Sequence, residues 1–275
     1  MTIENENLSE KEKKELLFVE KWLNFVDFSS LDVFAFFENI TALENRFILS
    51  HMGDIKNKDV LDLGCGLGES SIYFALKGAR VTAVDISPKV IELAKQLAEK
   101  YKVKINYIVS SAKDVSFKKE SFDFIYCANL FHHLSLSERA KVIQNSYQFL
   151  KKGGWFYSWD PLAYNPFINF YRKIASEMRS PNERPLTFGI LSEVKRAFPK
   201  VYHREFWFFT LILFFKYYLL DRYNPNKISY WKQIFREEPK KIKWWFFPLS
   251  KIDSFVLKIP PFSKLAWNIL IYAQK

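Results

Sequence analysis

The sequence predicts an α/β fold: a mostly parallel, seven-stranded sheet with helices on both faces, carrying an N-terminal helical cap and a C-terminal insertion. Three observations carry this. Short apolar runs alternate with segments of helical spacing between residues 59 and 159, the pattern of a parallel sheet with crossover helices. A glycine-rich turn follows the first run at Gly64, Gly66 and Gly68, and an acid, Asp85, ends the second. A chain of 275 residues is long enough for one substantial core, and one large domain is expected.

Residues 9–27 and 31–52 place Leu16, Val19, Leu23 and Val26, then Phe34, Phe37, Leu43 and Phe47, at helical spacing. They read as two or three helices of a cap over 1–55. The core, 56–160, is expected to run strand 59–63, helix 69–77, strand 80–84, helix 88–101, strand 104–109, strand 122–127, helix 136–150 and strand 154–159. Lys151-Lys152-Gly153-Gly154 reads as a helix C-terminus and turn. Prolines 161, 166, 181 and 185 punctuate a substrate-side insertion, 161–200, helical over 167–179. Strands near 201–209 and 265–273 complete the sheet, with about 210–262 inserted between them.

The N-terminus opens with Glu4, Glu6, Glu10, Lys11 and Glu12. It lacks the basic start and apolar stretch of a secretory signal, so a cytoplasmic location is expected. Cys65 and Cys127 fall in apolar segments without metal spacing; neither a disulfide framework nor a metal is assigned. The net charge of +11 is unevenly placed. Residues 1–194 hold 25 basic and 25 acidic side chains, whereas residues 195–275 hold 16 and 5, with 22 of the 50 aromatic residues. Ordinary core packing does not require such a composition.

The run Val60-Leu61-Asp62-Leu63-Gly64-Cys65-Gly66-Leu67-Gly68-Glu69 sets three glycines between a buried strand and a helix. Such a turn lets the backbone approach a ligand and offers helix N-terminal N–H groups to it. A dinucleotide fingerprint requires glycine where Glu69 stands, which argues against NAD. Asp85 lies about twenty residues beyond Gly64, where a carboxylate can hold both ribose hydroxyls. One acid with one glycine turn suggests a nucleoside.

As a set, Val60–Gly68, Val84-Asp85-Ile86-Ser87, Phe122-Asp123 and Leu150–Gly154 resemble the class I S-adenosylmethionine-dependent methyltransferases. Within these the resemblance is to the small-molecule group that includes the ubiquinone and menaquinone biosynthesis methyltransferases. It covers about residues 35–160 and implies a Rossmann-like fold with S-adenosylmethionine as cofactor and S-adenosylhomocysteine as product. It further implies that Asp62, Gly64, Cys65, Gly66 and Gly68 hold the methionine end, that Asp85 holds the ribose, and that Ile86 lies against adenine. Ser111 and Ala112 would receive the adenine edge; relatives often have an acid where Ser111 stands. Asp114 could substitute, although a loop or cap residue is the plainer reading. Asn129 and Leu130 would line the cofactor, and Arg46 in the cap would approach its carboxylate, unless it is a surface arginine.

His132 and His133 follow the fourth strand, and Asp160 ends the fifth, at the sheet edge where ligands of open α/β folds gather. All three are candidate catalytic residues, and a histidine is suited to removing an acceptor proton. Packing or loop hydrogen bonding is the alternative for the histidines, and a turn-forming Asp-Pro for Asp160. The D/N-P-P-Y/F segment common in amine methyltransferases acting on nucleic acid or protein is absent from this stretch.

Phe206 to Leu220 is a 15-residue, largely apolar run, shorter than the roughly 20 residues of a spanning helix. Beyond it Trp231, Phe235, Trp244, Trp245, Phe246 and Phe247 are interleaved with Lys232, Arg236, Lys240, Lys241 and Lys243. Aromatic and basic residues together favour an anionic membrane surface. The expectation is methyl transfer to a small, lipophilic or membrane-derived acceptor by an enzyme peripheral to the inner face of a membrane. Walls of a large core or dimer contact are the structural alternative for these aromatics. The functional alternatives are an RNA or protein methyltransferase and a non-catalytic cofactor-binding protein. The contiguous apolar run argues against nucleic acid.

Overall fold

The computed structural model describes residues 9–23, 31–180 and 183–275. Glu4, Glu6, Val26 and Pro181 lie outside the described residues. The cap contributes α1 (Glu10–Leu23), α2 (Ala35–Glu38) and α3 (Leu43–Met52). The core then runs β1 (Asp59–Leu63), α4 (Glu69–Leu76), β2 (Arg80–Asp85), α5 (Pro88–Lys100), β3 (Asn106–Val109), β4 (Phe122–Ala128), α6 (Leu136–Phe149) and β5 (Leu150–Pro161). After it come α7 (Pro166–Ile174), α8 (Gly189–Lys195), β6 (Lys200–Phe206), α9 (Ile212–Phe215), α10 (Tyr230–Gln233), α11 (Pro239–Val256) and β7 (Asn268–Gln274).

Sheet order is β3-β2-β1-β4-β5-β7-β6. The first five strands pair in parallel, and β7 runs antiparallel to both β5 and β6. The central strands are buried on both faces, with the last four residues of β1 inaccessible, as a sheet covered on both sides requires. Helix starts are chemically marked. The Ser87 hydroxyl accepts from the Val90 amide ahead of Pro88, and Ser135 with Glu138 closes a reciprocal capping box.

One expectation is corrected. Lys151–Gly154 are not a turn after α6 but belong to β5. The Lys151 ammonium bonds Asp59 at 2.7 Å and Asp123 at 2.8 Å. Gly153 and Gly154 exchange backbone bonds with Lys275 at the chain end. The local irregularity is a register shift against β4, where Gly153 takes φ +77°.

The insertion between β6 and β7 is helical and pinned by one buried acid. Asp253 on α11 accepts from the backbone amides of Phe208, Phe209 and Thr210 at 3.0, 2.7 and 3.1 Å and from the Thr210 hydroxyl at 2.6 Å. Removing it orphans several donors, each costing about 1–3 kcal/mol. Asp253→Ala is therefore expected to lower stability by roughly 3 kcal/mol or more, read as a melting temperature some 6–12 °C lower for a domain of this size.

Candidate active site

The carboxyl ends of β1, β2, β4 and β5 floor a cavity of about 380 Å³. Glycine makes its floor possible. Gly64, Gly66 and Gly68 have φ of +73°, +53° and +84°, and a side chain built on Gly66 would meet nothing within 4 Å, so the backbone there is open to a ligand. Gly68 serves packing instead: a Cβ would come within 3.2 Å of Ala94 and of the Tyr107 hydroxyl, and it is not among the lining residues.

Asp85 lines the cavity beside this turn. One carboxylate oxygen accepts from the Gly66 amide and the other from the Ser87 amide, each at 3.0 Å. Burial raises its pKa, opposed by those amides. Asp62 is fully buried behind the turn and accepts from the Ser71 hydroxyl at 2.6 Å; burial, partly offset by Ser71, pushes its pKa up to about 7. Cys65, Ile86, Ser111, Ala112, Asn129 and Leu130 also line the space. Asn129 holds φ +52°, a strained value that asparagine tolerates better than most residues. Arg46 is exposed and outside the cavity. Asp114 is paired with Lys113 and Lys141 at 2.6 and 2.9 Å and also lies outside it, which fits a loop residue.

The three candidate catalytic residues converge. His132 lines the cavity, and Asp160 is wholly buried behind it. The His132 Nδ1 lies 2.7 Å from Asp160 Oδ1, which also accepts the His132 backbone amide at 3.1 Å. Burial drives both toward neutrality: His132 goes well below the ordinary histidine value, and Asp160 goes up to about 7. His133 Nδ1 sits 3.0 Å from Glu15 of α1; burial alone would lower its pKa, but Glu15 reverses the sign. His132, His133 and Glu183 offer ligand atoms within 4.8 Å of one another. Glu183, however, is held by Arg179, whose Nε donates to it at 2.8 Å.

Sequence reasoning missed Glu44, Asn268 and Arg172 on the cavity wall. Glu44 is buried in α3 and accepts from Asn268 Nδ2 at 2.7 Å, while Asn268 Oδ1 has no partner among the described residues. Nearby, Asn45 Oδ1 accepts from the Tyr126 hydroxyl at 2.7 Å and from Trp159 Nε1 at 3.1 Å. The signal for Glu44 was an acid in register with Ile48 and Met52 on the buried stripe of its helix. Trp231 and Lys232, read as part of the basic aromatic surface, are also on this wall, with the Lys232 ammonium 4.2 Å from the Trp22 ring centre.

Glycine turn, terminal acid on β2, strand order and antiparallel β7 together define the class I S-adenosylmethionine-dependent methyltransferase fold. Residues 60–154 match the family described as a methyltransferase domain. A ubiquinone biosynthesis O-methyltransferase of Coxiella burnetii is 38% identical over 100 residues, covering 36% of this chain and 42% of that protein; the match spans less than half of that relative's length. A Haemonchus contortus phosphoethanolamine N-methyltransferase 2, solved with phosphomonomethylethanolamine and S-adenosylhomocysteine, superposes with TM-score 0.57 at 16% identity over 94% of this chain and 60% of that one. A Mesorhizobium loti S-adenosylmethionine-dependent methyltransferase superposes with TM-score 0.55 at 16% identity, covering 87% of this chain and all of that one.

Burial raises the Glu44 carboxyl from 4.5 to about 7, against the opposing bond from Asn268. Because the folded state keeps this proton to higher pH than the unfolded chain, stability falls as pH rises from 4.5 to 7 and is level above. The penalty is about 1.4 kcal/mol per unit, or roughly 3 kcal/mol in all. Glu44→Gln cannot ionise, so its melting temperature is expected to gain on the parent protein between pH 5 and pH 8 without ligand. Parallel curves across that range would show that Glu44 is not held protonated.

Proposed function

We propose that this protein methylates a lipophilic acceptor that enters its cavity from a membrane surface, at the cytoplasmic face. The observation that carries the reading is that α7 carries large apolar side chains both toward the cavity and outward. Ile168 and Tyr171 line the cavity, while Phe167 and Phe170 are exposed at 56% and 59%. Phe167 meets Phe215 edge-on at 5.3 Å. Later in the chain Leu219, Leu220, Trp244 and Phe255 are exposed by 62% to 78%, with exposed Lys240, Lys241, Lys243, Lys251 and Lys258 on the same inserted segment. An exposed apolar surface of this kind marks an interaction site, and interleaved lysines favour an anionic leaflet. Among the described residues no helix is long and apolar enough to cross a membrane.

S-adenosylmethionine supplies a sulfonium methyl carbon for in-line displacement. The open Gly66 turn would take its methionine end, the Asp85 carboxylate its ribose, and Ile86 with Ala112 its adenine. The protein's larger contribution is alignment, which can amount to about 7–11 kcal/mol. Where the acceptor must lose a proton, His132 supplies the base. In its ionised form Asp160 would accept from Nδ1–H and leave Nε2 as the accepting nitrogen. Burial keeps the ring neutral near pH 7, the state a base requires.

His132→Asn is expected to lower kcat by about 10²–10⁴ with S-adenosylhomocysteine affinity intact in calorimetric titration, whereas Asp85→Ala loses that affinity. Undiminished turnover in His132→Asn would remove the base from the mechanism. The membrane reading is tested by flotation. At low salt the protein is expected to rise with phosphatidylglycerol vesicles, and Leu219→Glu/Leu220→Glu/Trp244→Glu to stay at the bottom. A parent protein that remains at the bottom is not a membrane-surface enzyme.

A further inference from the structure

Among the described residues, one cation on the cavity wall, Arg172, has a guanidinium nitrogen without a hydrogen-bond partner. Arg172 projects from α7 on the side bearing Ile168 and Tyr171, and Arg179 lines the same space. The Arg172 Nη1 donates to Asn169 Oδ1 at 2.7 Å. Its Nη2 is buried with no hydrogen-bond partner among the described residues. An unsatisfied buried guanidinium nitrogen is costly and rare.

The protein's own acids nearby are committed elsewhere. Glu183 accepts from Arg179 Nε at 2.8 Å and from the Ser180 amide at 3.1 Å. Glu15 faces His133 and accepts from the Ser180 hydroxyl. Asp160 is bound to His132 and to the Ser158 hydroxyl. Burial and then repulsion from Arg179 depress Arg172 to about 10, which leaves it charged at neutral pH.

We propose that Arg172, assisted by Arg179, binds an oxyanion carried by the methyl acceptor, a phosphate or carboxylate taking the Nη2 donor that lacks a partner among the described residues. Arginine suits this because its planar fork matches such groups and is weakly hydrated. The identification of the ligand as acceptor rests on the methyl-transfer reading; the anion site does not. The position fits a lipid headgroup, because the same helix turns Phe167 and Phe170 outward. A small free anion would satisfy the same chemistry, and the two sources are separable.

The test is calorimetric titration of the full chain, saturated with S-adenosylhomocysteine, with inorganic phosphate, benzoate and monomeric dihexanoyl phosphatidic acid. The parent protein is expected to bind at least one of these, Arg172→Met to lose tenfold or more, and Arg172→Lys to recover part. S-adenosylhomocysteine affinity is expected to be unchanged in both variants, and the unliganded melting temperature of Arg172→Met to be equal or higher, since a buried unpaired charge has been removed. Dihexanoyl phosphatidic acid binding tenfold tighter than phosphate identifies a lipid headgroup; equal affinities identify the free anion. No binding to the parent protein, or equal binding to Arg172→Met, overturns the proposal. So does lost S-adenosylhomocysteine affinity, which would assign the guanidinium to the cofactor, or a markedly lower melting temperature, which would make it structural. None of these titrations measures turnover, so their failure leaves the methyl-transfer reading to its own test.

Discussion

The cavity depends on one carboxylate. Asp85 ends β2 and accepts the Gly66 and Ser87 amides at 3.0 Å each, tying the turn after β1 to the start of α5. Ser87 in turn caps the Val90 amide, so strand end, turn and helix are held by a chain of short bonds. Gly66 must keep positive φ for its amide to point at Asp85 and for the space beside it to remain open, a conformation that costs glycine little. A carboxylate so placed presents the cavity with acceptor capacity that the protein has not exhausted. The proposed ribose contact would use that remainder.

How much of this was legible follows from distance along the chain. The floor was, because Gly64, Gly66, Asp85, Asn129 and His132 all sit at ends of successive parallel strands, and the fold brings such ends together by its topology alone. Strand positions were also readable from their apolar runs, although the start of β5 was not. Lys151 through Gly154 have turn composition, and only their long-range partners Asp59, Asp123 and Lys275 hold them in the sheet. The walls were hidden for the same reason. Glu44 comes from the cap, Arg172 from α7 and Asn268 from the last strand, and nothing local states that they meet. Glu44 did leave a trace, as a carboxylate on an otherwise apolar stripe.

The partnership of His132 with Asp160 shows the same division. Each residue alone had a plain alternative, a packing histidine and an Asp-Pro turn. Their meeting at 2.7 Å depends on β4 and β5 being neighbours in parallel register, with Ala128 opposite Trp159. That pairing sets the loop after β4 against the end of β5. Once it is made, both groups share a dry environment that favours their neutral forms, and the pair acquires a property neither sequence position announced.

The aromatic C-terminal segment resolves into two populations. Trp207, Tyr217, Tyr230 and Phe246 are buried, as a large core would have them. Trp244, Phe247 and Phe255 are exposed on α11, the helix that buries Ile242, Phe246 and Asp253. A helix packed on one side needs only one apolar stripe, with polar residues opposite. Core packing therefore accounts for the inner face and leaves the outer one unexplained. Helix α7 repeats the arrangement, with Ile168 inward and Phe167 and Phe170 outward. Burial of a protein core supplies no reason for the outward aromatic side chains of either helix, and the proposed acceptor path from a lipid surface rests on them.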